Sequence, residues 1–309
     1  MKVLKRKLRR LGIVLSDSRW WPFYIQRRFM KLGLRDKLSA IVASVKQKAA
    51  APDAKFIDAL NKHSAQLKNT GISHLGAIFN HQQCDEIYAY FSNKLIIDDY
   101  RPETPAFLPK SHARHPLSHT AHHNASDILQ APYLFQLAND PRLMEIAAAF
   151  LGCKPTIGYL AAWWSYSTEI GAQQAENFHR DVDDWRFLKL FVYLTDVGEN
   201  NGPHIYVSHS SDSDKLREIR RFDDTEVVTA FGKENILQLT GQAGEGFVEN
   251  TFGIHKGQPV KQGTRLIFQV VYSMFPLPYG PKTPVMNLDA LCNSTGVVAD
   301  SWVNRVYLS

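Results

Sequence analysis

The residues best suited to chemistry lie in the second half of the chain, beginning with His179-Arg180-Asp181. On an extended strand, residues i and i+2 share a face, so His179 and Asp181 present an imidazole and a carboxylate together while Arg180 turns away. His255, in the stretch Asn250-Thr251-Phe252-Gly253-Ile254-His255-Lys256-Gly257, is the best third partner because another strand follows it. Two histidines and one carboxylate on one face of a metal leave positions open, the arrangement suited to non-haem Fe(II) and O2 chemistry. Arg265 stands on that next strand, where a planar guanidinium pairs bidentately with a dicarboxylate. No GxGxxG and no GxxxxGK[ST] phosphate loop occurs.

Several neighbours of the motif are secondary candidates. Lys189 shares strand parity with Phe191 and Tyr193; pointing inward it needs an anion, and pointing outward it is simply solvated. Trp164 and Tyr166 share one face of the strand before the motif, where they either line a cosubstrate or substrate pocket or belong to the core. Asp183 to Arg186 are placed at a pocket rim, and Gln174 and Asn177 are second-rank donors toward the metal motif or loop caps. His204 and His209 read as structural. His112, His115, His119, His122 and His123 crowd one Pro-rich loop without a carboxylate or cysteine at a closed metal-site spacing, so a surface or lid loop is expected.

The elements that must hold these residues follow from periodicity. Residues 157–167, 187–195, 204–207, 236–239, 246–249 and 265–272 are short runs rich in β-branched and aromatic residues, separated by Gly, Asn, Asp and Pro clusters. This texture predicts an antiparallel sandwich, jelly roll or barrel and argues against a doubly wound nucleotide fold. Residues up to about 150 read as mainly helical. Leu34, Leu38, Ile41, Val42 and Val45 keep helical spacing, and 76–79 reads as a brief strand. Asn80 with Gln83 predicts a capped helix, and Asp140, Pro141 and Gly152 bracket another.

Taken together, His179-x-Asp181, the strand Lys189-Leu-Phe-Val-Tyr-Leu-Thr-Asp196, the turn Asn200-Asn-Gly-Pro203, His255-Lys-Gly257 and Arg265 resemble a phytanoyl-CoA dioxygenase-like Fe(II)/2-oxoglutarate oxygenase over residues 70 to 275. The resemblance implies an α+β chain with a double-stranded β-helix (jelly roll, cupin-like) core and N-terminal helices packed around it. It implies His179, Asp181 and His255 as iron ligands, Arg265 on the distal carboxylate of 2-oxoglutarate, and O2 as co-reactant. The product set would be succinate, CO2 and an oxidised small-molecule or lipid-linked substrate. Asp181 favours hydroxylation over halogenation, because related halogenases carry a small non-ligating residue there. The family's Pro-Gly-Ser-His is replaced here by Val207-Ser-His-Ser-Ser211. A cupin-like metal enzyme that ignores 2-oxoglutarate, and a non-catalytic membrane-associated binding module, are the competing readings.

Charge divides the chain. Residues 1–50 hold 14 Lys and Arg against Asp17 and Asp36, a net of +12, whereas the other 259 residues carry 22 basic and 28 acidic groups. The body is mildly acidic, so no nucleic-acid partner is expected. The division proposed is a basic amphipathic N-terminal helical segment, 1–50, and one oxygenase domain, 51–309. That domain comprises a helical part 51–152, a jelly-roll core 153–280 and a C-terminal extension 281–309. Leu4, Leu8, Leu11 and Leu15 recur at helical spacing among the basic residues, and Trp20, Trp21, Phe23 and Tyr24 follow. Residues 1–30 therefore fit peripheral contact with an anionic membrane, a solvated helix packed on the body, or an arm that binds a partner. The apolar run from Leu11 to Leu15 is too short for a signal peptide, and no run is long enough for a transmembrane helix. With Cys84, Cys153 and Cys292 far apart and odd in number, a reducing, cytoplasmic setting is expected, extending to the inner face of a membrane.

Overall fold

The structure, a computed structural model, describes residues 14–309. Among these, ten strands form two antiparallel sheets. The strands are β1 (Ile72–Ala77), β2 (Thr120–His122), β3 (Thr156–Tyr166), β4 (His179–Arg180), β5 (Phe187–Tyr193), β6 (His204–Val207), β7 (Ile236–Leu239), β8 (Glu245–Glu249), β9 (Ile254–Gly257) and β10 (Thr264–Ser273). The larger sheet runs β1-β8-β5-β10-β3-β2 and the smaller β4-β9-β6-β7. From β3 to β10 the chain passes back and forth between the two sheets. That path is a double-stranded β-helix, with helices around it.

Packing explains the order. On β5 and β10 the even-numbered residues Leu188, Leu190, Val192, Leu266, Phe268, Val270 and Tyr272 face the helical layer and join Leu67, Ile87, Phe91, Ile146 and Leu151 in the main core. The odd-numbered Phe191, Tyr193 and Ile267 face the barrel interior with Tyr206, Leu239 and Phe247. Strands buried on both faces are near-continuous apolar runs, as β5 is, with all seven residues buried and Lys189 its one charged member.

The helical layer is set by its caps. His81–Ser92 starts with the reciprocal Asn80 and Gln83 capping box. Pro141–Leu151 starts with Asp140 accepting from the Arg142 amide and stops at Gly152, whose φ of 77° is left-handed. The helix Leu32–Val45 forms where helical spacing predicts it, yet its buried residues are Arg35, Ser39 and Ala43, while Leu34, Ile41 and Val45 are exposed. The expected strand at 76–79 lies earlier, as β1. Leu4, Leu8 and Leu11 of the amphipathic reading lie outside the described residues. No described helix is long and apolar enough to cross a membrane.

Candidate metal centre

Strand pairing brings the site together. His179 on β4 is the direct cross-strand partner of His255 on β9, so their rings lie 4.3 Å apart. His179 Nδ1 lies 2.9 Å from the Asn177 carbonyl and His255 Nδ1 lies 3.0 Å from the Gly253 carbonyl. Each bond fixes the tautomer with Nε2 free to ligate. Asp181 sits just past β4, its amide donating to the Thr251 carbonyl at 2.9 Å. Its Oδ1 is 3.5 Å from His179 Nε2 and its Oδ2 is 3.2 Å from His255 Nε2. Ligand atoms of the three residues fall within 4.8 Å of one another. Arg180 turns away, as strand alternation requires, and donates to the carbonyls of Leu216, Lys215 and Phe252, which anchors β4.

The charge states of His179 and Asp181 suit a divalent cation, and a cation would take the place of the proton that Asp181 favours on His255. Burial, helped by the neighbouring His255, pushes the His179 imidazole down to about 4, so it is neutral at pH 7. Burial opposes the charged form of Asp181, but Lys189 and His255 outweigh it and hold the carboxyl well below its usual range. His255 is raised, burial being overcome by the Asp181 carboxylate. A carboxylate between two Nε2 atoms is a hard-and-borderline donor set that fits Fe(II) and leaves the remaining positions to other ligands.

Arg265 is buried on β10, with Nη1 donating to the Gly202 carbonyl and Nη2 to Ser165 Oγ at 3.0 Å. Its Nε has no partner, and among the described residues no carboxylate lies at ion-pair distance from it. A Cβ built on Gly257 would meet nothing nearer than Arg265 Nη2 at 3.8 Å, so the absent side chain leaves room beside the guanidinium. A buried cation with an open flank fits a carboxylate ligand.

Lys189 does point inward, but its anions are protein groups. Its Nζ is 2.6 Å from Asp181 Oδ2 and 3.0 Å from Asp183 Oδ2. Those two carboxylates raise the ammonium against the opposing effect of burial. A direct contact with the cosubstrate is thus replaced by a brace on a candidate ligand.

Trp164 and Tyr166 do not reach the interior. Trp164 packs in the helix-facing core, its Nε1 donating to His123 Nε2 at 3.1 Å, and the Tyr166 hydroxyl donates to the Pro109 carbonyl at 3.1 Å. The inward residues of β3 are the other parity. Trp163 packs against the interior cluster, and Ser165 meets Arg265. Because β3 is covered on both sides, alternation alone could not choose the face.

Sequence reasoning passed over a second buried pair. His204 on β6 stacks on His255 at 5.5 Å, and its Nε2 lies 2.8 Å from Oε2 of the fully buried Glu249 on β8. No motif marks them; only the inward parity of Glu249 with Phe247 would have signalled it. The histidine-rich loop is tied down through its own rings, His119 to Glu176 at 2.7 Å and His122 to Asp99 at 3.1 Å, which accounts for these two without a metal. Asp184 is structural, accepting from the amides of Trp185, Met274 and Phe275. The Asn177 side chain donates to the Ala172 carbonyl, so only its backbone serves the site.

Near Asp181, the Tyr279 hydroxyl lies 3.3 Å from Asp183 Oδ1, and its ring meets Tyr159 at 6.2 Å and Phe23 at 5.5 Å. The helix Trp20–Gln26 thereby packs, through Phe23 and Gln26, against Tyr279 and Val182 beside Asp181.

No family model and no curated protein matches the chain. Solved structures do. The α-ketoglutarate-dependent epimerase SnoN from nogalamycin biosynthesis is 16% identical over 82% of this chain and 96% of its own, with a TM-score of 0.49. EctD from S. alaskensis, solved with 2-oxoglutarate and 5-hydroxyectoine, is 19% identical over 74% and 79%, with a TM-score of 0.47. HygX from Streptomyces hygroscopicus, holding nickel, 2-oxoglutarate and hygromycin B, is 13% identical over 80% and 95%, also with 0.47. At such distances the likeness transfers no residue role to this chain.

Proposed function

We propose that the protein is an Fe(II)- and 2-oxoglutarate-dependent dioxygenase that oxidises, by hydroxylation, a small-molecule substrate. The observation that carries this reading is the convergence of His179 Nε2, Asp181 and His255 Nε2 within 4.8 Å inside a double-stranded β-helix. Arg265 supports the cosubstrate. In a metal enzyme that ignores 2-oxoglutarate, this guanidinium would be half of a structural ion pair, and among the described residues it has no such partner.

His179, Asp181 and His255 would hold the iron, which when bound supplies the oxidative decarboxylation of 2-oxoglutarate by O2 to succinate and CO2, coupled to oxidation of the substrate. The protein's own residues set the geometry. The Asn177 and Gly253 carbonyls keep both imidazoles presenting Nε2. Lys189 holds the second oxygen of Asp181, and Asp183 beyond it neutralises the lysine. Arg265 and Ser165 orient the far carboxylate of the cosubstrate. Buried Phe191, Phe247 and Ile267 keep that end of the barrel dry, which strengthens the charge pairing.

Anaerobic titration with Fe(II) and then 2-oxoglutarate tests the reading through the visible charge-transfer band of the chelate. The band is expected in the wild type and absent in His179→Ala. Arg265→Ala should retain iron but require about ten- to a hundredfold more 2-oxoglutarate, the loss of a charge-assisted contact. Iron bound without a band in the wild type would overturn the cosubstrate assignment.

A further inference from the structure

The helix Trp20–Gln26 has two faces of different purpose. Its buried side inserts Phe23 against Tyr279 and sends Gln26 Nε2 to the Val182 carbonyl at 2.8 Å, directly beside the metal motif. Its other side exposes Trp21 and Ile25, one turn apart, at 51% and 47%. The next helix repeats the pattern. It buries Arg35 and Ser39 against the carbonyls of Asp184 and Trp185 and exposes Leu34, Ile41 and Val45, the last at 79%. Phe23 of the first helix and Leu38, Val42 and Ala43 of the second pack inward, so Trp21, Ile25, Leu34, Ile41 and Val45 are apolar surface beyond what the core takes up. Exposed Arg28, Lys31 and Lys37 lie among them, and the segment that precedes them carries Lys2, Lys5, Arg6, Lys7, Arg9 and Arg10.

We propose that this outer face docks on an anionic lipid surface, placing Tyr279 and Asp183, which lie between the first helix and Asp181, next to the contact. Charge chooses the occupant. A net of +12 over residues 1–50, against an acidic remainder, complements negative headgroups, while Trp21, Ile25 and Leu34 suit the interfacial layer. Resting on the function proposed above, this orientation admits a substrate carried in or on the membrane, so the substrate class becomes a lipid or a lipid-linked molecule.

The test is sedimentation of the metal-free full-length chain with phosphatidylcholine vesicles, with and without phosphatidylglycerol. Deletion is avoided, since Phe23 and Gln26 pack on Tyr279 and Val182 beside Asp181. The wild type should bind only the anionic vesicles and be released by raised salt. Trp21→Glu with Ile25→Glu, both exposed, should weaken binding by about tenfold or more while keeping the wild-type melting profile. No binding to anionic vesicles overturns the proposal. So does unchanged binding by the double variant, or displacement by duplex DNA that is indifferent to it, which would mark a general polyanion site. Because neither iron nor 2-oxoglutarate is present, failure here is separate from failure of the chelate titration.

Discussion

His179, Asp181 and His123 are each held in one protonation state by their surroundings, and His123, in the helix-facing core, makes the consequence measurable without touching the metal ligands. Its ring lies 4.3 Å from Phe91, and its Nε2 accepts from Trp164 Nε1, so a proton added there would meet another N–H. Burial pushes the imidazole down to about 3. In the unfolded chain it titrates near about 6.5. Between these values the unfolded chain binds a proton the folded chain refuses, so stability is intact above about pH 6.5 and lost as pH falls. Between pH 7 and pH 5 the cost is about 2 kcal/mol from His123 alone. His123→Gln keeps an acceptor for Trp164 without a titrating group. Chemical denaturation of the metal-free proteins should show a correspondingly shallower loss in the variant over that interval; parallel pH profiles would mean the ring is protonated in the fold.

At the scale of elements, strands were legible where composition carries them and illegible where pairing does. β5, β6, β7, β8 and β10 coincide with runs of β-branched and aromatic residues. β4 is two residues long and β9 contains Lys256 and Gly257, so neither has a composition of its own; β9 is held by its pairing with β6, and β4 by its pairing with β9. The spacing of His179, Asp181 and His255 could still be read, since side-chain parity needs only an extended backbone. Lys189, Trp164 and Tyr166 were harder, because strands buried on both faces give parity without direction. The packing of Arg35 was hidden for another reason: a buried guanidinium bound by carbonyls leaves no partner residue in the sequence to find. Gln26 is its companion, accepting from Arg35 Nη2 at 2.8 Å while donating to Val182. Gln26→Leu removes one acceptor from Arg35 Nη2 and one of the two donors to the Val182 carbonyl, leaving Arg27 Nη1 on that carbonyl, at a cost of about 1 kcal/mol. A lower melting temperature should be accompanied by weaker Co(II) binding in a titration of the ligand-field spectrum, since the loosened loop begins at Val182, next to Asp181. Unchanged Co(II) affinity would confine the two helices to a structural role.

For the molecule as a whole, the interior is a barrel whose charges are ion-paired at one end and left without ion pairs between Arg265 and Glu249 at the other. Beside the two histidines, Asp181 and Asp183 share Lys189. Deeper in, Arg265 has no carboxylate among the described residues, and Glu249 has only the His204 ring. A divalent cation between the two imidazoles and Asp181 adds positive charge where His179 is neutral, and a dicarboxylate reaching from that cation to Arg265 would then neutralise both. Each ligand thus improves the site for the other, which is a coupling free energy shared between them. Thermal melts should reveal it. Mn(II) at about a hundredfold excess over its Kd should add about 2.7 kcal/mol of stability, a rise of several degrees. 2-Oxoglutarate alone should add little, because Arg265 is then its single cationic anchor and Asp181 repels the other carboxylate. Both together should exceed the sum of the two shifts in the wild type and should lose that excess in either Arg265→Ala or His179→Ala. Simple additivity in the wild type would mean that the dicarboxylate does not bridge the metal and Arg265.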